Sequence, residues 1–199
     1  EILKTGPTAV ELVDRTILDL AKIAPEAAKQ RLFIEGDPEA ILAVEYYGET
    51  AEEISKKMDV LETLLRDKNL GYACVRAMTA TEQANIWGVR KAGLGLLMGM
   101  KGDTKPATFV EDTAVSPEKL PEYIRRFDEI VRRHDTVASY YAHASVGTIH
   151  IRPMINLKKP DEIARMRSIA EEIRDLVLEF GGAMSSEHGD GLVRSEWNE

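Results

Sequence analysis

Cysteine is almost missing: Cys74 is the one thiol in 199 residues. A single thiol closes no internal disulfide, and it cannot by itself hold an iron–sulfur cluster, which takes about four. A cytoplasmic setting fits that usage best. Cys74 lies in the apolar run Tyr72-Ala73-Cys74-Val75 and is expected to be a small buried hydrophobe rather than a nucleophile. Positive charge is also short, with 26 Lys and Arg against 34 Asp and Glu and a net charge of -8. That balance removes the electrostatic case for nucleic acid or an anionic membrane surface. An anionic ligand would need a local positive site. No apolar run approaches the ~20 residues of a membrane span. No glycine-rich loop joins a strand to a helix; Gly93-Leu94-Gly95 falls in or after a helix and is a poor dinucleotide fingerprint. The start, Glu1-Ile2-Leu3-Lys4, shows neither an initiator methionine nor a signal-peptide pattern. Both ends read as cut from a longer protein.

What is present alternates helices with short apolar strands. Helical spacing runs from Val10 to Ile23, with Val10, Val13, Ile17 and Leu20 on one stripe. Residues 40–47 (AILAVEYY) predict a strand. Thr50 with Glu53, and Thr79 with Glu82, are capping-box starts for two helices, the second running through Trp87 towards Leu97. Strands are predicted over 73–78 and 107–115. Ser116-Pro117 opens a helix that ends on Arg132, Arg133 and His134, cations at the negative end of its dipole. Two strands, 136–142 and 148–154, precede a long helix from Pro160 to Phe180, stopped by Gly181-Gly182. The order predicts an α+β fold of ferredoxin-like split βαβ units: one domain over 1–199, an antiparallel sheet with helices on one face.

The stretch His143-Ala144-Ser145-Val146-Gly147-Thr148-Ile149-His150 carries chemistry. A tight turn centred on Val146-Gly147 would set His143 opposite His150, with Cβ atoms about 5 Å apart. Two imidazoles so placed can share a divalent metal. Tyr141 and Arg152 fall on the same face. A solvated or structural histidine pair is the alternative that spacing leaves open. In Ser185-Ser186-Glu187-His188-Gly189-Asp190-Gly191, Glu187 offers a carboxylate ligand and His188 a general base; a polar surface loop is the alternative. Arg90, followed by Lys91, has the fork that grips carboxylates, or is a solvated helix charge. Glu111-Asp112 on a predicted strand should send one carboxylate inward, where it could orient a histidine or arginine; an exposed edge is the alternative.

Together the stretches FIEGDPEAILAVEYYG (33–48), RKAGLGLLMGMKGDTKPATFVEDTAV (90–115), HASVGTIHIRP (143–153) and SSEHGDGLVRS (185–195) resemble the C-terminal domain of FAD-linked oxidases, in the vanillyl-alcohol-oxidase superfamily. The resemblance covers essentially the whole chain and is nearest to the subgroup fused to an iron–sulfur module. It implies D-lactate, glycolate or D-2-hydroxyglutarate type dehydrogenase chemistry on a small 2-hydroxy acid. It implies FAD held mostly by a preceding domain of the same parent chain, and iron–sulfur clusters only in that parent. It implies zinc or another divalent metal on His143, His150 and Glu187, His188 as base beside the flavin with Gly189, and substrate held by Arg90 and Arg152. Several positions depart from the family's usual residues: Val146, Thr148, Arg152, and Ser186 where glycine is usual. No lysine near Val110 matches a substrate-binding one. The isolated domain is expected to be inert, and a homo-oligomer is compatible with it. Without the resemblance, a ferredoxin-like ligand-binding or oligomerisation module stands first. A zinc hydrolase using the same two histidines and glutamate is the other enzymatic alternative, weakened by the missing HExxH and nucleophile-elbow patterns.

Overall fold

The computed structural model describes residues 1–197. The strands are β1 (Ala9–Asp14), β2 (Ala40–Glu45), β3 (Lys105–Pro106), β4 (Thr113–Ala114), β5 (Ala138–His143) and β6 (Thr148–Ile155). The helices are α1 (Arg15–Ile23), α2 (Pro25–Gln30), α3 (Ala51–Asp67), α4 (Ala80–Met98), α5 (Leu120–Arg133), α6 (Pro160–Glu179) and α7 (Gly191–Arg194). The sheet runs β2-β1-β5-β6-β3, with β4 also on β6, and all its ladders are antiparallel. β1 and β6 therefore run the same way with β5 inserted between them. The expected α+β class and antiparallel sheet are what the chain forms.

Helices cover both faces of the sheet rather than one. Ile149, Ile151 and Ile155 join Ala142 in a core closed by α5 and α6. Val13, Tyr141 and Met154 join the second core, with Ile17, Leu18 and Ala21 of α1 and Val89 and Leu97 of α4. β6 is accordingly buried at every position. Its two faces differ in chemistry. The α5/α6 face is aliphatic, whereas the α1/α4 face carries Thr148, His150 and Arg152 as buried polar groups. α4 sits close to α1 because Gly93 has no side chain; a Cβ there would stand 3.1 Å from Ile17 Cδ1.

Local sequence explains most boundaries. The 10–23 stripe divides: residues up to Asp14 form a strand, and the Asp14 carboxylate accepts from Ile17 N–H as the N-cap of α1. A strand there buries Val10 and Val13 as well as a helix would, and the cap fixes where it stops. The Thr79–Glu82 box is complete. At α3, Thr50 caps Glu53, while the Glu53 carboxylate accepts from Glu49 N–H instead.

Two expected strands change. Residues 73–78 join no ladder; Arg76 instead pins that segment to α3 through Glu62 and Asp59. Cys74 is exposed there, not buried. Partial cover of its sulfur, and then Glu62, push the thiol pKa up, which keeps it a weak nucleophile. A thiol titration of the folded chain should count one slowly reacting group before denaturant is added; none would return Cys74 to the interior.

Within 107–115 only Thr113 and Ala114 join a ladder with β6; the other pairing comes just before the run, at Lys105 and Pro106. Lys105 faces Ile155 and Thr113 faces Ile149, so eight steps of chain oppose six. The two surplus residues form a bulge, and a bulge re-aims side chains. Here both Glu111 and Asp112 turn inward and are buried.

Candidate functional site

The β5–β6 connection sets the geometry. His143 pairs with Thr148 and Tyr141 with His150, so the turn spans 144–147. Val146 N–H donates to the His143 carbonyl, and Gly147 follows at φ 78°. The expected two-residue turn would have required positive φ in its centre, which a β-branched valine resists. The register therefore lies two residues from the expected one. A shift of two keeps every side chain on its face. His143, Tyr141, His150 and Arg152 remain together, with the histidines diagonal rather than opposed. Gly147 is obligatory here, since a Cβ would lie 1.8 Å from the Val115 carbonyl oxygen.

Three imidazoles meet one carboxylate. Glu187 Oε1 stands 3.3 Å from His143 Nε2, 3.2 Å from His150 Nε2 and 3.5 Å from His188 Nε2. His150 is central: its ring stacks on His188 at 4.7 Å and meets His143 edge-on at 5.3 Å. At 2% exposure it is the buried member, while the His143 side chain is 35% exposed. Burial, followed by the nearby His188 and His143, holds the His150 pKa below its ordinary value. That direction favours the neutral ring, which has a lone pair to offer.

Every outer nitrogen has an acceptor. His143 Nδ1 lies 2.7 Å from Glu11 Oε1, His150 Nδ1 lies 3.2 Å from the Glu111 carbonyl, and His188 Nδ1 lies 3.1 Å from the Glu111 carboxylate. A neutral imidazole protonated on Nδ1 presents Nε2 as acceptor. All three Nε2 atoms face Glu187. For bond lengths near 2.0–2.2 Å, tetrahedral ligand atoms stand roughly 3.3–3.5 Å apart. The distances to Glu187 match that spacing, and the donors that all lie within 4.8 Å of one another are those of His150, Glu187 and His188 with Asp112, a group that does not include His143. His143, His150 and Glu187 are the expected set, and His188 falls within the same reach.

Asp112 also lies near, within 4.8 Å of donor atoms of His150, Glu187 and His188. Its carboxylate is already taken. It accepts from Ser185 Oγ (2.9 Å), Ser186 N and Oγ (2.8 Å each), Glu187 N (3.1 Å) and His188 N (2.9 Å). Burial pushes its pKa up, but the His188 N–H and the Ser186 donors outweigh that and hold it at about 2. Asp112 thus grips the 185–188 loop rather than a ligand. Ser186, where the family resemblance anticipates glycine, adds a donor to this clamp.

The arginines flank the imidazoles. Arg90 on α4 gives Nη2 (2.8 Å) and Nε (3.0 Å) to Glu11 Oε2 and lies 4.8 Å over the Tyr141 ring. Its neighbour Lys91 is exposed. Arg152 is buried, donating to Tyr141 Oη (2.8 Å) and Glu111 (3.3 Å), while its Nε has no hydrogen-bond partner among the described residues. Arg194 of α7 binds Glu111 at 2.9 Å and the Gly189 carbonyl. Glu111 thereby joins His188, Arg152 and Arg194. Gly189 takes φ 70° with open space where a side chain would be. A cleft of about 290 Å³ lies between Thr108, Glu111, His188 and residues 189–194. A larger hollow, about 420 Å³, lies behind the same loop against α6 and has no imidazole in its wall.

Sequence reasoning thus reached His143, His150, Glu187, His188, Arg90 and Arg152, and the structure brings all six together. Glu11 and Arg194 were missed. A glutamate inside the apolar run Ala9-Val10-Glu11-Leu12-Val13 was the available sign, because a strand covered on both faces tolerates a carboxylate only when it is paired.

Fold and site define an α+β domain with a histidine-rich sheet face around the buried His150. The chain belongs to the family of FAD linked oxidases, C-terminal domain, whose profile matches residues 1–199. It is 32% identical to a D-2-hydroxyglutarate dehydrogenase of Haemophilus influenzae, over 100% of this chain and 20% of that protein. It is 27% identical to a glycolate oxidase subunit of Bacillus subtilis, over 98% of this chain and 39% of that one. Among solved structures, a 4-ethylphenol oxidase from Gulosibacter chungangensis shares the fold: TM-score 0.50 and 14% identity, over 88% of this chain and 38% of that chain. The chain thus spans about a fifth of the length of the dehydrogenase it matches. No helix among the described residues is long and apolar enough to cross a membrane.

Proposed function

We propose that this chain is the substrate-side domain of a longer FAD-dependent dehydrogenase that oxidises a D-2-hydroxy acid to the 2-oxo acid. The observation that carries it is the convergence of three imidazole Nε2 atoms on Glu187 beside an arginine. The relatives' names, D-2-hydroxyglutarate dehydrogenase and glycolate oxidase subunit, support the substrate class. A single domain over 1–199 does not grip FAD phosphates through a glycine loop, because Gly93 and Gly95 lie inside α4. The flavin would then be held mainly by another domain of the parent.

Within the site, His143, His150 and Glu187 would hold zinc or a similar ion, which acidifies a bound hydroxyl. The flavin supplies hydride acceptance. The remaining work belongs to side chains. Arg90, with Nε and Nη2 on Glu11, keeps Nη1 for the substrate carboxylate. Arg152, braced by Tyr141 and Glu111, lends positive potential on the substrate side. His188 takes the hydroxyl proton at Nε2, and Glu111 at its Nδ1 stabilises the imidazolium so formed. Gly189 keeps the approach to His188 free of a side chain.

The test is anaerobic flavin bleaching by the full-length parent with D- and L-2-hydroxy acids, before and after metal removal. Bleaching by a D-acid, lost on chelation and restored by zinc or manganese, is expected. Bleaching indifferent to chelation would leave the dehydrogenase without its metal role. No bleaching with any 2-hydroxy acid would discard the reaction.

A further inference from the structure

We infer that Glu11 is a positioning residue that presets His143 for the metal and ties that ligand to the anion-binding Arg90. The inference rests on the metal-site reading above and extends it to a residue outside every recognised motif.

Glu11 stands directly across the β1–β5 ladder from His143. It is 5% exposed, and its two oxygens do different things. Oε1 meets His143 Nδ1 at 2.7 Å, and Oε2 meets Arg90 at 2.8 and 3.0 Å. A buried carboxylate is costly unless paired and hydrogen-bonded, and here both oxygens are.

The effect on His143 follows from its tautomers. A neutral imidazole carries one N–H, and the carboxylate at Nδ1 holds it there, leaving the Nε2 lone pair towards Glu187. His150 is locked by burial as well as by the Glu111 carbonyl. His143 is the open ligand, and Glu11 is the group that fixes its ring. The effect on Arg90 follows from sharing. The guanidinium that would receive a substrate carboxylate is aimed by the same Glu11 that aims His143, so the metal ligand and the anion clamp cannot reorient separately.

The test is zinc titration of the chain against a chromophoric chelator, with long-range ¹H–¹⁵N NMR of the histidine rings. Wild type should show His143 protonated on Nδ1. Glu11→Gln should weaken zinc by about ten- to hundredfold and give His143 a mixed tautomer signal, while the fold, read by circular dichroism, persists. Zinc affinity and His143 tautomer both unchanged in Glu11→Gln, with zinc lost in Glu187→Gln, would overturn the inference and spare the metal site. Zinc binding indifferent to Glu187→Gln would overturn both. Should Glu11→Gln fail to fold, the pair Glu11→Met with Arg90→Met removes both buried charges, and the same two readouts decide.

Discussion

Replacing Asp112 with alanine should cost about 3–5 kcal/mol of folding stability, because several donors lose their acceptor together and each buried orphan costs about 1–3 kcal/mol. The side chain is fully buried and holds two hydroxyls and three backbone N–H groups of residues 185–188. Urea unfolding of the two chains measures the loss; equal midpoints and slopes would mean that the loop is held by something else. Asp112→Asn gives the pH dependence. The folded-state pKa is about 2, below the ordinary 3.8. A group depressed in the fold stabilises it fully above the unfolded value and loses that contribution as pH falls through the folded one. Asp112 thus contributes about 2 kcal/mol at neutral pH. The stability gap between wild type and Asp112→Asn should narrow by about 1 kcal/mol between pH 6 and pH 3. A gap that widens on acidification has the wrong sign for this carboxylate.

His150→Ala should have the largest effect on metal capture, exceeding the roughly hundredfold that marks the upper range for loss of an outer partner. In the proposed site His150 contributes a donor and also the surface against which other rings pack, with His188 stacked at 4.7 Å and Tyr141 tilted at 4.8 Å. Zinc titration reads the first effect directly. In the proposed parent flavoprotein the same change should abolish substrate-driven bleaching while leaving the flavin bound. Undiminished zinc affinity would remove His150 from the ligand set and move the site to His143, Glu187 and His188.

The helices from residue 79 onwards were legible because caps and stops are local chemistry. Thr79 with Glu82 and the Gly181-Gly182 stop act within one turn of chain. The sheet was less so. Val10 and Val13 suit a helical stripe, yet tertiary pairing with β2 and β5 makes that segment a strand. Residues 73–78 have strand composition but no ladder partner, and composition does not supply one. The bulge at 107–112 depends on how far apart two registers lie on β6, which no local pattern encodes. At the site, the donors were readable as residue types at characteristic spacing. The outer partners Glu11 and Arg194 were not, because each acts across 132 or 83 positions of chain. Glu111 and Asp112 fall between these cases: an acidic pair in a predicted strand announced an inward carboxylate, and the bulge turns both inward.

The proposed metal donors would also arrive at different times. His143 and His150 share one hairpin, whereas Glu187 and His188 belong to a loop that is made later and gripped by Asp112 only after α6 has brought it back. A chain synthesised from its N-terminus presents two histidines alone for the interval in between. Two imidazoles are a poor trap for an ion, and the missing carboxylate comes only with tertiary closure. Metal uptake would then be a quality check on biogenesis: a misdocked copy stays unloaded, and a loaded copy gains stability by mass action that its misfolded siblings do not share.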